Sequence, residues 1–387
     1  MNLKKSYILI IFFVSILLLY FLNFHDSKNS TTVSLIKRNK APNQNLSQIE
    51  TIANIKTESD SSAAQSEPDD SKSDLEDTEI ETKYSNILVL KNAVATQDVC
   101  ELDRNLFSIQ DISSVLLNSG LKTKNDDLLQ ELIETQSAIL KGNNPTDGKH
   151  PIVRFYYALY LADLISGVET DNQKYNQAND ILSDLQIEHP ENGAYPYMRA
   201  LVLEKMNAPT DDLKKEFLKA FFAPQFDLHV QIISKTLFVK SLSNPVELIA
   251  GFSTTAQLPI PNSVDGIKLI GQLIKQNDPA FNEAAESFAQ KRADLSRINK
   301  GSLEFIDWSI LDVVIGTSVQ KHLHKTRFPN DPKLVTLTPS EIIKQIAPNS
   351  KKLEQFFEVV QSDCSSDKLK TLFLEFKNEY LKDHPLK

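Results

Sequence analysis

Glycine is scarce in this sequence: it numbers 10 of 387 residues and forms no G-x-G-x-x-G or G-x-x-x-x-G-K pattern. Nucleotide-binding cradles depend on such glycine turns, so we expect no nucleotide site. Cysteine is nearly absent too, with only Cys100 and Cys364. They form no C-x-x-C pair, and the sequence predicts no metal and no cofactor. If the region is extracytoplasmic, the two cysteines can form one disulfide; two buried free thiols are the alternative.

Basic clusters are missing from the part of the chain that we expect to fold. The net charge of the whole chain is −9. Residues 50–83 hold 11 acidic and 3 basic residues, which accounts for −8 of that charge. Because proteins that bind nucleic acids need a basic face to displace counterions from phosphates, we expect no nucleic-acid partner.

One long hydrophobic run lies near the N-terminus. Residues 7–24 contain only four polar side chains, Tyr7, Ser15, Tyr20 and Asn23. As an α-helix this run spans about 27 Å, close to the roughly 30 Å hydrocarbon core of a bilayer. No small residues follow in a cleavage pattern. The run therefore predicts an uncleaved transmembrane signal anchor, with a cleaved signal peptide as the alternative.

The orientation of this anchor does not follow from charge alone. Two lysines lie in residues 1–6 and four basic residues lie in residues 25–40, so the positive-inside rule does not decide the orientation of the anchor. A short tail before a hydrophobic run is typical of a signal anchor. We therefore expect residues 1–6 in the cytoplasm and the bulk of the chain in an extracytoplasmic compartment such as the periplasm or cell envelope.

Residues 25–84 are rich in Ser, Thr, Asn, Asp and Glu and show no sustained apolar period. Such a segment buries too little apolar surface to offset the entropy cost of ordering, so it predicts a disordered acidic linker. A flexible chain of this length has an end-to-end distance of about 40–45 Å. The linker would let the folded part stand away from the membrane.

From residue 85 onwards, apolar residues recur at the i, i+3, i+4 and i+7 spacing of amphipathic helices, which predicts an all-α fold. Asp278 followed by Pro279 is a helix start signal, an N-cap with proline in the first helical position. We expect a helical domain at residues 85–243 and a second helical region at residues 244–387, with one continuous array as the alternative. The helices predicted for the second region are 246–256, 263–276, 279–298, 302–322, 339–347, 350–362 and 366–382.

Residues 151–223 carry a repeated pattern of small and large apolar residues. Its main positions are Ala178, Leu182 and Pro190, then Ala200, Leu203 and Asn207, then Leu213, Phe217 and Ala220. In this pattern the stretch resembles a pair of tetratricopeptide repeats, although Pro196, Arg199 and Pro224 depart from the family. The resemblance implies stacked helix pairs whose concave surface holds a peptide or protein partner. An ordinary helical hairpin domain has the same packing needs and is the alternative.

Four residues are candidates for contact with a partner. Tyr195, Tyr197 and Met198 lie on the predicted inner helix of a repeat. Trp308 is the only tryptophan, a residue type that is enriched at binding hot spots. Core packing is the alternative for each of them.

No motif predicts catalytic residues. The acidic pairs Asp126-Asp127 and Asp211-Asp212 could suggest acid–base chemistry, but we expect both in first turns of helices, where the helix dipole stabilises negative charge. His322 and His324 are two residues apart, so they point to different sides of a helix and predict no metal site.

These features predict a membrane-tethered helical scaffold or adaptor that binds a protein or peptide partner in the cell envelope. Enzymatic activity is the less favoured interpretation. An enzyme that acts on an envelope polymer through unidentified carboxylates is one alternative. A purely structural tether is the other.

Overall fold

The structure is a computed structural model that describes residues 92–96, 99–100, 116–117, 120–140, 150–165, 171–256, 261–298, 303, 307–329, 350–362 and 364–385. The predicted cytoplasmic tail, the transmembrane segment at 7–24, the linker at 25–84 and the helix at 339–347 lie outside these residues. Among the helices that are described, none combines the length and apolar character needed to cross a membrane.

All regular elements in the described residues are helical, which confirms the all-α prediction for this part of the chain. An isolated bridge pairs Asn192 with Gln225. The twelve described α-helices are α1 (Asp126–Leu140), α2 (Pro151–Leu161), α3 (Asn172–Glu188), α4 (Ala194–Lys205), α5 (Thr210–Phe222), α6 (Val230–Ser241), α7 (Pro245–Ala256), α8 (Ser263–Ile274), α9 (Pro279–Arg292), α10 (Ile310–Arg327), α11 (Lys351–Ser362) and α12 (Ser366–Asp383). A 3₁₀ turn, Leu295–Arg297, follows α9.

Some helices begin where a side chain accepts from a free N–H group of the first turn, whereas α4, α5, α6, α10 and α12 have no side-chain cap. The predicted N-cap at Asp278 is confirmed: its carboxylate accepts from the N–H of Phe281 at 3.2 Å, and Pro279 is the first residue of α9. The acidic pairs lie in the first turns of α1 and α5, as expected. Both pairs therefore face the positive end of a helix dipole, which accounts for them without catalysis.

Consecutive helices from α2 to α5 pack side by side in antiparallel order. Arg154 in the first turn of α2 reaches Glu188, the last residue of α3, with contacts of 2.9 and 2.7 Å. Arg199 of α4 bonds Asn179 of α3 at 2.9 Å and Glu216 of α5 at 3.2 Å. The arginines thus link α2 to α3 and α4 to both of its neighbours.

Helices α8 and α9 continue this stack after the insertion of α6 and α7. Near the starts of α5 and α9, Lys214 pairs with Asp278 at 3.2 Å, and nearer their ends the rings of Phe221 and Phe288 lie 4.8 Å apart. Because the start of α9 contacts the start of α5 and its end contacts the end of α5, the two helices run parallel. Helix α8 packs against α4 and α10 packs against both α8 and α9.

Residues on both sides of position 244 belong to one compact unit, Val89–Gln136 with Pro145–Lys387. A second unit, Met1–Leu88 with Ser137–Asn144, is described only at residues 137–140, which form the last turn of α1. Aromatic rings contribute to the core of the larger unit, together with many aliphatic side chains. The edge-to-face contacts of Tyr197 with Phe217 and Phe226, at 5.4 and 5.3 Å between ring centres, join α4, α5 and the loop that follows.

A second group of contacts involves α6, α7, α11 and α12. Phe238 of α6 packs edge-on against Tyr380 of α12, with 4.9 Å between ring centres, and α7 also contacts α12. A disulfide joins Cys100 to Cys364, whose Cα atoms are 5.6 Å apart. Cys364 lies between α11 and α12, so the bond ties this C-terminal hairpin to the beginning of the described chain.

Candidate functional site

A surface cleft of about 220 Å³ lies between α4 and α8. It is lined by Leu164, Leu201, Glu204, Lys205, Asp265, Lys268, Leu269 and Gln272. The lining residues of α4 follow the i, i+3, i+4 spacing, and those of α8 follow i, i+3, i+4, i+7. Residues at these spacings share one helix face, so the cleft is the junction of one face from each helix.

The floor of the cleft is apolar. Leu164, Leu201 and Leu269 are 2%, 3% and 8% exposed, so their side chains close the cleft from below. An apolar floor favours a ligand that brings its own apolar group, because that group leaves water when it enters. The floor can therefore accept an aliphatic or aromatic side chain.

The rim of the cleft carries both signs of charge. Lys268 pairs with Asp265 at 3.1 Å on α8, and Lys205 of α4 reaches the carbonyl oxygen of Asp163 at 3.4 Å. Glu204 adds a further carboxylate. The pair on α8 is about half exposed, so water screens it and it stabilises the fold little. Such side chains are free to exchange their partners for charges on a ligand.

Tyr197 fixes the approach of α4 to α8 below this cleft. Its side chain is completely buried, and its hydroxyl donates to the carbonyl oxygen of Ser263 at 2.8 Å. Gly266 faces the same ring, and a β-carbon at that position would overlap the phenol. Burial raises the pKa of Tyr197 above its ordinary value, so the hydroxyl keeps its proton and its role as donor.

The structure places the four predicted contact residues in the interior. Tyr195, Tyr197 and Met198 are 2%, 0% and 0% exposed, and Trp308 is 9% exposed. None of them lines the cleft. As packed here, Tyr195, Tyr197 and Met198 offer no surface to a partner. Tyr197 acts on the cleft from below, and Trp308 lies beside the start of α10.

A second polar cluster, which the sequence analysis did not anticipate, lies in the loop between α5 and α6. Nδ1 of His229 is 3.4 Å from Asp227, and Nε2 is 3.0 Å from the Tyr195 hydroxyl. Asn192 holds the same loop by accepting from the N–H of Asp227 at 2.9 Å and donating to its carbonyl at 3.0 Å. His229 has φ = 62°, an uncommon conformation for a residue other than glycine.

The ionisation of this cluster follows from its surroundings. Burial raises the pKa of Asp227, but hydrogen bonds and the charge of His229 outweigh burial and leave that pKa below its usual value. Burial raises the pKa of Tyr195 to about 12, so its phenol stays protonated where it meets Nε2 of His229 at 3.0 Å. With Tyr195 buried, a substrate does not reach the three groups together. The cluster holds the start of α4 against the start of α6.

Among the described residues, no three His, Cys, Asp or Glu side chains come close enough to hold a metal ion. His322 and His324 both lie on α10. Burial, followed by the charges of Lys275, Lys321 and Lys325, lowers the pKa of His322. His322 packs against Gly271 of α8, where a β-carbon would come within 2.6 Å of Nδ1, so this histidine is part of the packing between helices.

Comparison with protein-family models, with curated proteins and with solved structures finds no match to this chain. The function of the cleft therefore has to follow from its own residues and geometry.

Proposed function

We propose that this protein is a membrane-tethered helical scaffold that binds a protein or peptide partner in the cleft between α4 and α8. The cleft carries the proposal because it combines an apolar floor, formed by Leu201 and Leu269, with a rim of both charges. A peptide segment with one apolar side chain flanked by charged ones has the complementary chemistry. Stacked helical hairpins commonly present such surfaces to peptides, in line with the resemblance to tetratricopeptide repeats.

The size of the cleft supports a peptide over a cofactor or drug-sized ligand. Its volume of about 220 Å³ is below the roughly 300–1,000 Å³ of small-molecule pockets. A cleft of this size accommodates one side chain of a longer ligand. The remaining contacts would come from the rim and the neighbouring helix surfaces.

Two further observations support a location in the cell envelope. The hydrophobic run at residues 7–24 and the acidic linker at 25–84 have the composition of an anchor and a spacer. The bond between Cys100 and Cys364 is the kind that persists in oxidising compartments. The scaffold would then face the extracytoplasmic side.

The test of partner binding is site-specific photocrosslinking with the full chain in its native membrane. A photoreactive amino acid replaces Gln272 on the cleft or, as the matched control, Gln290, an exposed glutamine of α9. We expect a discrete adduct from position 272 only. The charge reversal Lys268→Glu should abolish that adduct, whereas Lys291→Glu on α9 should preserve it. Equal adducts at both positions, or insensitivity to Lys268→Glu, would refute the cleft as the binding surface.

A topology reporter fused after Lys387 tests the location separately. Activity of the reporter outside the cytoplasm is the expected result. A cytoplasmic C-terminus would refute the envelope location but would leave the binding role of the cleft to the crosslinking experiment.

An enzyme that acts on an envelope polymer is the second candidate, since Glu204 and Asp265 bring two carboxylates to one cleft from different helices. Paired carboxylates of this kind perform glycoside hydrolysis when they flank a bond. Loss of polymer cleavage in both Glu204→Gln and Asp265→Asn, with the adduct at Gln272 unchanged, would favour the enzyme. The absence of any cleavage by the native protein would exclude it.

A further inference from the structure

A buried ionic group lies where α9 ends and α10 begins. Asp312 accepts from two guanidinium groups, that of Arg292 at 3.3 Å and that of Arg297 at 2.8 Å. The side chains of Arg292 and Asp312 are 6% and 13% exposed, while Arg297 is 36% exposed. Two positive charges thus surround one negative charge, and Arg297 connects the group to solvent.

Among the described residues, two buried N–H donors near the junction of α9 and α10 have no acceptor. They are Nε of Arg292, at the end of α9, and Nε1 of Trp308, two residues before the start of α10. Trp308 precedes Asp312 by four residues and is 9% exposed. Buried donors in folded proteins nearly always have partners, so two free donors at one helix junction point to a ligand that accepts hydrogen bonds.

The guanidinium group of Arg292 is held in a fixed orientation. Its central carbon lies 4.8 Å from the ring centre of Phe226 and 5.3 Å from that of Phe288. These rings pack against the guanidinium, so its hydrogen bonds are made by the N–H groups along its edge. A fixed planar donor matches the two oxygens of a carboxylate.

The charge of the group favours a singly charged acceptor. Arg292, Arg297 and Asp312 together carry +1 when all are ionised, which one carboxylate would neutralise. Three nearby acids already have partners. Asp294, which is close enough to Arg297 to interact with its charge, accepts from the N–H of Ser296 at 2.9 Å. Asp227 contacts His229 at 3.4 Å, and Asp307 accepts from the hydroxyl and N–H of Ser309 at 2.6 and 2.9 Å.

We propose that Arg292, Arg297, Trp308 and Asp312 form a carboxylate-binding site, in which Nε of Arg292 and Nε1 of Trp308 donate to the ligand. The group that it takes is a small carboxylate or the acidic side chain or C-terminus of a peptide. None of these residues lines the cleft between α4 and α8, so the proposal of this site does not depend on the proposed partner binding.

The only tryptophan of the chain provides a direct test. Full-length protein in detergent micelles, labelled with ¹⁵N at the indole nitrogen, gives one indole N–H resonance, and that resonance belongs to Trp308. Titration with sodium acetate should shift the indole proton downfield and saturate. Sodium chloride at the same ionic strength should leave it in place. A peptide that ends in a free carboxylate should act like acetate, and its C-terminal amide should not.

Variants assign the effect to the site. Arg292→Lys keeps the charge but removes the planar Nε–H, so we expect acetate affinity to fall by roughly tenfold. Arg327→Lys is the matched control, because Arg327 joins the same two helices through an exposed pair with Glu286 at 2.6 Å. Asp312→Asn should strengthen acetate binding, since it removes the internal competitor for the guanidinium groups.

Two results would overturn the proposal. One is the absence of a saturable acetate shift in the folded wild-type protein, which needs no variant. The other is equal acetate affinity in Arg292→Lys and Arg327→Lys. If Arg292→Lys does not fold, the wild-type titration and the direction of the Asp312→Asn effect decide.

Discussion

The hydroxyl of Tyr197 donates to the carbonyl oxygen of Ser263 at 2.8 Å, in the interior and directly below the cleft. This bond links α4 to the first residue of α8 across 66 positions of sequence. The ring of Tyr197 also occupies the space beside Gly266. One side chain therefore sets the spacing of α4 and the start of α8.

Replacement of Tyr197 by phenylalanine removes this hydrogen bond and keeps the ring. We expect the free energy of unfolding to fall by about 1 kcal/mol, the usual contribution of one buried hydrogen bond. Urea denaturation followed by circular dichroism measures the change. An unchanged unfolding midpoint and slope would show that the bond does not hold α4 against α8.

The glycine at position 266 is expected to tolerate no side chain. Alanine would favour the helix by about 1 kcal/mol on propensity alone, yet its β-carbon overlaps the phenol of Tyr197. We expect Gly266→Ala to destabilise the protein by about 1–3 kcal/mol, as overpacked cores do. Gln272→Ala, an exposed change on the same helix, is the control and should stay within about 0.5 kcal/mol of wild type. A stabilised Gly266→Ala variant would contradict the packing described here.

Lys240 of α6 is completely buried and pairs with Asp126 at the start of α1, 2.9 Å away. Asp126→Asn would leave a buried ammonium with neutral acceptors alone, the amide oxygen of the new side chain and the carbonyl of Leu121 at 3.2 Å. Removal of one partner from a fully buried pair costs about 3–5 kcal/mol. Because Asp126 is 27% exposed, we expect a smaller loss, about 2–3 kcal/mol. Thermal and urea denaturation measure it.

The matched control for this pair is Glu375→Gln, which breaks an exposed contact with Lys352. That change should cost less than about 1 kcal/mol. The pH dependence provides a second check. Burial raises the pKa of Asp126, but hydrogen bonds from Thr123 and Lys240 outweigh it and lower the pKa overall. The contribution of the pair is therefore present above about pH 4 and is lost as the pH falls through the lowered value. Equal costs for the two variants would contradict the buried pairing.

Helix positions follow from the sequence wherever periodicity and a capping residue agree. The sequence predicts helices at 246–256 and 263–276, and the structure has Pro245–Ala256 and Ser263–Ile274. The start of α10, in contrast, differs from the start that the sequence pattern predicts. The apolar pattern predicts a helix from residue 302, but the helix begins at Ile310. Asp307, Trp308 and Ser309 lie outside the helix, and the carboxylate of Asp307 accepts from the N–H of Ser309 at 2.9 Å, so a local turn stands directly before α10.

The cleft could not be predicted, because its two faces come from helices that are distant in the sequence. Leu201 and Leu269 carry the ordinary spacing of amphipathic helices, and nothing in either segment shows that α8 lies beside α4 once α6 and α7 intervene. The sequence suggests Tyr195 and Tyr197 as contacts for a partner. An aromatic side chain on a helix, however, shows the same sequence spacing whether it faces a partner or the core. Only the stacking of the helices separates these cases.

His322 is expected to make the fold sensitive to mild acid. Burial, then the charges of Lys275, Lys321 and Lys325, lowers its pKa in the folded state. The unfolded state therefore binds a proton more readily, so stability is present above about pH 6.5 and is lost as the pH falls below that value. We expect His322→Gln to lose less unfolding free energy than wild type between about pH 7.5 and 5.5. Urea titrations at the two pH values measure this, and equal losses would contradict the burial of His322.

The bond between Cys100 and Cys364 predicts how the protein responds to reductants. The two residues are 264 positions apart, and closing a loop of this length in the unfolded chain is worth up to about 5 kcal/mol by chain entropy. We expect reductant to lower the melting temperature of the wild-type protein and to leave that of the double variant Cys100→Ser, Cys364→Ser unchanged. The double variant in turn should melt like the reduced wild type, because both lack the same constraint.

A non-reducing gel after alkylation tests the bond without any variant. Freshly isolated native protein should carry no alkylatable thiol, and it should migrate faster than the reduced chain because the closed loop keeps the denatured chain compact. Two alkylated thiols in the native protein would contradict the disulfide. Such a result would also remove one of the two observations that support the envelope location, which would then rest on the hydrophobic run at residues 7–24 with its acidic linker and on the topology reporter.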